Sequence, residues 1–281
     1  MPLSDLVEYF NQRISSEQGL TEPPLTVRAG QVAGRFRELR LATEFDPIFH
    51  AGEVDRVVGH DAILQAFQHD AGHAASARAY HDADIGNIIN LDRLCRTIHM
   101  LNYLPIAHEG NHLFLQVHPR HVLGVKRDHG AYFEEVIFRC GLQPRRVVIT
   151  VPITPVYDRQ LKLLLEGLKN YQDRGYGTAI KFDDKANEQF LERYCIEFLY
   201  RVTPDFVRLD STFFSTLKKE SEDMRRKTTM LSVIHGMDTQ LLVEGVQSEK
   251  DFLLAKVLRA DLVKGAYYEQ QAQSQRQVAA G

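Results

Sequence analysis

The sequence predicts an α/β fold, a TIM-like (β/α)8 barrel with an N-terminal helical arm. Three observations carry this expectation. Eight short apolar runs rich in β-branched and aromatic residues recur: "TEFDPIF", "RVVGHDAIL", "LFLQVHP", "RVVITVPI", "TAIKF", "FVRLD", "QLLVEGV" and "LVKGAYY". Stretches of helical length and periodicity separate most of them, as in "LDRLCRTIHMLNYL", "GAYFEEVIFRCG", "DRQLKLLLEGLKNYQDRG" and "SEKDFLLAKVLRAD". The alternation runs for about 230 residues, the size of one such barrel. A doubly wound open sheet competes with it. Such sheets usually carry a glycine-rich phosphate loop after an early strand, and neither G-x-G-x-x-G nor a Walker pattern occurs.

In chain order, residues 1–40 form the arm and its linker. Leu6, Val7, Phe10 and Ile14 fall at helical spacing. The breaker-rich "SSEQGLTEPPLT" follows, then "QVAGRFRELRLA", which reads as a second short helix. Residues 41–270 form the barrel. Within it, Leu161, Leu163, Leu164, Leu165 and Leu168 cluster on one side of a helix whose other side holds Lys, Glu and Asn. Residues 271–281 are polar and short of large apolar groups, so a frayed tail is expected. A barrel of this class places its chemistry at the C-terminal ends of its strands. Those positions are Asp61, Gln116, His118, Val148, Val151, Lys181, Arg208, Asp210, Glu244 and Lys264.

Bulk composition narrows the function. The chain has 281 residues, 44% hydrophobic and 25% charged, as in ordinary globular proteins. A formal net charge of −3 argues against direct nucleic-acid binding driven by a global positive field. Cys95, Cys140 and Cys195 are odd in number and widely spaced, so they read as free thiols in a reducing cytoplasm. The start "MPLSDLVEYF" is acidic where a secretory signal needs basic residues, and no apolar run reaches membrane-spanning length. "HEGNH" (His108–His112) matches the zinc pattern H-E-x-x-H, which requires a helix. Gly110-Asn111 and the apolar run that follows make it a helix-to-strand loop instead. "HDAGH" (His69–His73) has helical metal-pair spacing, with His81-Asp82 nearby, but spacing supplies no third ligand, and a surface histidine cluster is the expectation. "KKESEDMRRK" (residues 218–227) reads as a solvated helix start, with a docking surface as the other reading.

Several segments carry a family resemblance. "DPIFHAGEVDRVVGHDAIL" is similar to a Q-P-I strand followed by one bearing Glu-Ala-Leu, and "LQVHPRHVL" to N-L-S-P-R-Q-L. "CGLQPRRVVIT" is similar to G-L-P-P-x-x-L-E-I-T-E, and "FVRLDSTFF" to V-L-K-I-D-x-x-F. "LLVEGVQSEKDFLLAKVLRADLVKGAYYEQ" is similar to V-A-E-G-V-E-T-x-x-Q followed by L-x-x-L-G-C-D-x-x-Q-G-Y. From about Phe45 to Tyr268 the chain thus resembles the EAL-domain family, barrel phosphodiesterases that hydrolyse the bacterial messenger cyclic di-GMP.

Family members hold two divalent cations in a nest of carboxylates and an Asn at the strand ends. The metals activate a water that attacks phosphorus, and a Lys assists. By that resemblance the signature Glu corresponds to Asp61, the metal-binding Asn to Gln116, and the two Glu of E-I-T-E to Val148 and Val151. The paired Asp-Asp corresponds to Lys181-Phe182, the catalytic Lys to Arg208 and the late Gln to Lys264, while Asp210 and Glu244 match the family. A second register sets Asp183-Asp184, two residues on, against the Asp pair; such a slip leaves strand faces unchanged. The family's ligand-contacting Gln and Arg correspond to Asp46 and Gln65, which leaves Arg208 and Lys264 as the basic groups able to attract a phosphate.

These replacements lead to an expectation of no metal, no cofactor and no catalysis. Asp61, Asp210 and Glu244 would balance Lys181, Arg208 and Lys264, with Lys181 standing roughly in the place of a cation and pairing with Asp61 or Asp210. The resemblance then implies a catalytically inactive barrel whose partner is another protein, a bacterial regulator of motility, biofilm or transcription. Contact is expected through the barrel mouth or the arm, and a homodimer stays open. Cyclic di-GMP is not the expected ligand, although a non-hydrolysing cyclic di-GMP receptor is the alternative reading and a weak metal-dependent phosphodiesterase the second.

Overall fold

The computed structural model describes residues 2–68, 72–74, 80, 84–107, 110–125, 130–186, 190, 196–217 and 224–280. The arm begins with helix α1 (Leu3–Gln18), stopped by Gly19 in the left-handed region at φ 64°. Its apolar stripe of Leu6, Val7, Phe10 and Ile14 is buried in the same continuous core as the barrel and its helices. Strands β1 (Leu25–Arg28) and β2 (Gln31–Phe36) follow as an antiparallel hairpin. The helix expected over "QVAGRFRELRLA" is therefore not formed. Residues 31–36 pair with β1 on one side and, through a turn at Arg37 (φ 54°), with the next strand on the other. Val32 and Gly34 alternate inward there, a period of two rather than 3.6.

Each of the eight anticipated apolar runs supplies one barrel strand. They are β3 (Leu39–His50), β4 (Glu53–Gln68), β6 (His112–Gln116), β7 (Val147–Pro152), β8 (Gly177–Phe182), β9 (Phe206–Leu209), β10 (Gln240–Glu244) and β11 (Leu262–Lys264). A short strand β5 (Gly72–Ala74) pairs with the outer end of β4. The ring runs β3-β11-β10-β9-β8-β7-β6-β4 and closes through β3–β4 pairing. Strand β3 is antiparallel to both neighbours, because only a tight turn at residues 51–52 joins it to β4; the remaining pairings of the ring are parallel. β3 also crosses the boundary between arm and barrel at residue 40, so the two are continuous in the sheet.

Alternation along the strands builds the interior in layers. Ile48, Phe114, Val148, Ala179, Phe206, Leu242 and Leu262 pack as one apolar cluster. Two residues further toward the mouth on those strands stand Asp46, Gln116, Thr150, Lys181, Arg208, Glu244 and Lys264. Gly59 holds the matching position on β4, two residues before Asp61; a Cβ there would meet the His112 carbonyl oxygen at 2.6 Å, so only glycine lets β4 lie this close to β6.

Outside the ring lie α2 (Ile85–Tyr103), α3 (Pro119–Gly124), α4 (Ala131–Cys140), α5 (Leu161–Asp173), α6 (Ile196–Val202), α7 (Ser211–Leu217), α8 (Met224–His235), α9 (Glu249–Val257) and α10 (Ala266–Ala280). The last runs on through residues 271–280, the stretch expected as a polar tail. The polar C-terminal residues are mainly Ala, Gln and Arg, strong helix formers that continue the turn begun at Ala266. No helix among the described residues is long and apolar enough to cross a membrane.

The arm docks by polar contacts as well. Glu135 of α4 accepts from Tyr9 Oη and, at 2.5 Å, from Arg13 Nη1. The Arg139 guanidinium lies 3.8 Å from the Tyr9 ring centroid. Because Phe10 is fully buried in the common core, Phe10→Ala should cost about 3–5 kcal/mol. Urea denaturation followed by circular dichroism and tyrosine fluorescence should show one shifted transition; an early, separate loss of a small helical signal would mean that the arm unfolds independently.

Candidate functional site at the mouth of the barrel

The polar layer above the apolar interior is an ion network. Arg208, near the end of β9, is 1% exposed and sits at its centre. Its Nη1 and Nη2 donate to the two oxygens of Asp61 at 3.0 and 2.6 Å, the bidentate geometry that suits a guanidinium. Its Nε donates to Glu244 Oε1 at 2.9 Å, and Nη1 also reaches Thr150 Oγ1 at 3.2 Å. Lys264 Nζ lies 2.7 Å from Asp61 Oδ2, 3.2 Å from Glu244 Oε2 and 3.4 Å from Asp46 Oδ2. Lys181 Nζ donates to Glu244 Oε2 at 3.2 Å.

Two expectations about these residues need correcting. Lys181 pairs with Glu244, not with Asp61 or Asp210, because the bidentate Arg208 fork and Lys264 already hold both Asp61 oxygens. Asp210 is not part of the network. It follows β9 and caps α7, accepting from the backbone N–H of Thr212 at 2.9 Å and of Phe213 at 3.0 Å and from Thr212 Oγ1 at 2.6 Å. The third carboxylate is Asp46, which the β3–β4 register places opposite Asp61. Three cations then face three carboxylates.

Burial alone would raise the carboxyl pKa values of Asp61 and Glu244, but their cationic neighbours reverse the shift. Arg208, Lys264 and Lys181 hold Asp61 well below the usual carboxylate range. The same three bring Glu244 down to about 2. Burial would likewise lower Lys264 and Arg208, yet Asp61 and Glu244 push both upward. These mutual shifts favour the charged forms of Asp61, Glu244, Arg208 and Lys264.

The other sequence-selected positions surround it. Val148 lies in the inner apolar layer, and Val151 belongs to the core between strands and helices. Lys181 and Phe182 end β8; Asp183 and Asp184 follow, and Asp183 turns to accept from the Lys185 backbone N–H at 3.1 Å. Burial and the nearby Asp210 and Asp184 raise the Asp183 pKa. Gln65 lies on the outer part of β4 and donates to Glu44 at 2.6 Å, apart from the network. Gln116 is exposed at the end of β6. His118 caps α3, and its ring stacks on Tyr80 with centroids 4.9 Å apart. A groove of ≈ 1160 Å³ opens from Asp61 and Lys181 past Gln116 and His118 to Tyr157 and Leu163.

Of the remaining motifs, His112 of "HEGNH" begins β6, so it cannot join a helical metal pair, while His108 and Glu109 lie outside the described residues. His73 of "HDAGH" is in β5; His69, Asp70, His81 and Asp82 lie outside the described residues, as do Cys195 and residues 218–223. Cys95 and Cys140 are free thiols that burial pushes up to about 12 and about 11. Among the described residues, no three His, Cys, Asp or Glu side chains converge as a metal would require.

A second buried ion cluster was missed. Asp92 Oδ2 lies 2.5 Å from Arg96 Nη2 and 3.3 Å from His121 Nδ1, and Arg96 Nη1 donates to Tyr171 Oη at 3.2 Å. The signal was present: Asp92 and Arg96 stand four apart on the buried side of α2, among Leu91, Cys95 and Ile98.

Arg208→Met would leave Asp61 and Glu244 buried beside too little positive charge, a loss of about 3–5 kcal/mol in urea unfolding. Lys181→Met should cost less, about 1 kcal/mol, and lower the Tm slightly. The sign of the pH dependence follows from the depressed carboxyl pKa values. Their stabilisation is fully present above the ordinary carboxylate value of 4.5 and is lost as pH falls toward about 2. Removing the guanidinium should therefore cost most at neutral pH and flatten the loss of stability between pH 4.5 and about 2, as read by urea unfolding at a series of pH values; an unchanged slope would refute the electrostatic account.

Comparison with solved structures supports the barrel. The PaMucR phosphodiesterase in complex with c-di-GMP superposes with a TM-score of 0.64 at 16% identity, covering 80% of this chain and 89% of that one. A standalone EAL protein from Vibrio cholerae O395, bound to c-di-GMP, gives a TM-score of 0.60 at 15% identity and the same coverage, 80% and 89%. The YkuI protein of Bacillus subtilis, with an EAL domain in complex with c-di-GMP and calcium, gives 0.64 at 16% identity over 81% of this chain and 53% of that one. At these identities the likeness concerns the fold. No curated protein matches the sequence significantly. Residues 30–271 match the sequence model of the EAL domain, nearly the whole length, and the chain belongs to the EAL domain family.

Proposed function

We propose that this EAL barrel does not hydrolyse cyclic di-GMP and acts as a regulatory module that binds another protein in bacterial motility, biofilm or transcription control. The observation that carries the reading is the buried Arg208 guanidinium lying between Asp61 and Glu244. Divalent cations of the magnesium and manganese type need several hard oxygen donors. Of the positions that the family resemblance assigns to donors, Val148, Val151 and Phe182 offer no side-chain oxygen and Lys181 offers an ammonium. Asp61, Glu244 and Asp46 are already bonded to three cations. An entering dication would have to displace them and then face their positive charge at short range. The donor set therefore does not fit the two-metal arrangement. Arg208 also stands where the family has its Lys. A guanidinium keeps its proton at any physiological pH and cannot serve in proton transfer as an amine can.

Poor affinity for the nucleotide follows from the same charges. Arg208 and Lys264 are neutralised by Asp61 and Glu244, and the partly exposed Asp46 would face a dianionic ligand.

A calorimetric titration with cyclic di-GMP, with and without manganese, tests the reading. The expected result is no binding heat, no manganese uptake and no linear pGpG on chromatography. Release of pGpG overturns the proposal; binding with the ligand recovered intact would replace it with a receptor that does not hydrolyse.

A further inference from the structure

The groove beside the ion network combines two features that the network does not explain. One wall is apolar: Leu64 of β4, Leu123 of α3, and Val156 and Leu163 from the segment after β7 line it. Val156 is 75% exposed and Leu163 53% exposed, unusual values for branched aliphatic side chains placed together on one rim. The second feature is positive charge. Arg120 and Lys185 line the same groove; Arg120 makes no salt bridge to a described residue, and Lys185 makes none either, although its charge acts on Asp183 nearby. The two acids lining the groove are both engaged, Asp61 by Arg208 and Lys264 and Asp183 by the Lys185 backbone N–H.

A volume of ≈ 1160 Å³, at the upper end of the roughly 300–1,000 Å³ of ligand sites, leaves room for a short stretch of chain. Helical peptide segments commonly bind by laying an apolar face in such a groove, with charge at its margin selecting the partner. A nucleic acid would not need the aliphatic rim and would meet a chain of net charge −3.

We propose that the groove receives an acidic amphipathic segment of a partner protein, its aliphatic or aromatic side chains against Leu123, Val156 and Leu163 and its carboxylates toward Arg120 and Lys185. This rests on the protein-binding reading above and names the chemistry of the partner.

The test is selection of random 12-residue peptides displayed on phage against the full chain, with enriched sequences then titrated as fluorescein-labelled peptides by anisotropy. Enriched peptides should combine at least two Asp or Glu with Leu, Ile or Phe. The double variant R120E/K185E should weaken them about tenfold and reverse the preference toward basic peptides. L163E, at a position 53% exposed, should weaken them by a similar factor. R120Q/K185Q should give a smaller loss, which keeps the test open if the double reversal does not fold. Failure to enrich any peptide, enrichment of basic peptides by the unmodified chain, or affinities unchanged in the variants would overturn the proposal. Acidic peptides that bind regardless of the variants would move the docking site elsewhere and leave the protein-binding reading standing. Release of pGpG in the nucleotide titration would instead remove that reading itself.

Discussion

The top of this barrel is organised by one guanidinium. Arg208 enters from β9, satisfies Asp61 from β4 across the mouth, and holds Glu244 from the neighbouring β10. The buried carboxylates of Asp61 and Glu244 could not stay ionised without it and the two lysines. Bidentate geometry also fixes how these strands sit relative to one another. Interchange of Arg and Lys here would keep the charge and lose the fork. The apolar layer beneath, with Phe114 5.4 Å from the guanidinium, provides a dry floor that keeps competing water away.

The barrel was legible because its strands are short, apolar and separated by amphipathic helices. The network was partly legible, since period-two alternation fixes which residues share the interior face, and Lys181, Arg208, Glu244 and Lys264 fall on it together. Which charge meets which was not. Lys181 and Asp61 lie on strands separated by two others in the ring, and only the shape of the closed mouth determines that Arg208 fills the space between them. Asp210 misled for a related reason. It lies one residue past the end of β9, where a short polar side chain finds the free N–H groups of the next helix sooner than it finds a distant lysine.

The arm shows where local reading fails. "QVAGRFRELRLA" has arginines and leucines at spacings compatible with a helix, and a short helix is as easily written there as a strand. Its outcome is decided by edges. The outer half of β3 extends beyond the ring and leaves unpaired backbone groups, and β2 and β1 cover them in turn. Tertiary pairing of this kind outweighs propensity over a segment six residues long.

The seam between β3 and β11 sets the order in which the molecule can be assembled. Ala51 donates its N–H to the Asp261 carbonyl and accepts from the Tyr268 hydroxyl, so the two ends of the barrel are fastened by residues more than two hundred positions apart. During synthesis on the ribosome, the β3–β4 hairpin can zip at once, but the ring must wait for β11 to emerge. Until then β3 exposes one edge to the solvent and to every neighbouring nascent chain. Long-range closure of this sort makes for slow folding and a long-lived open edge.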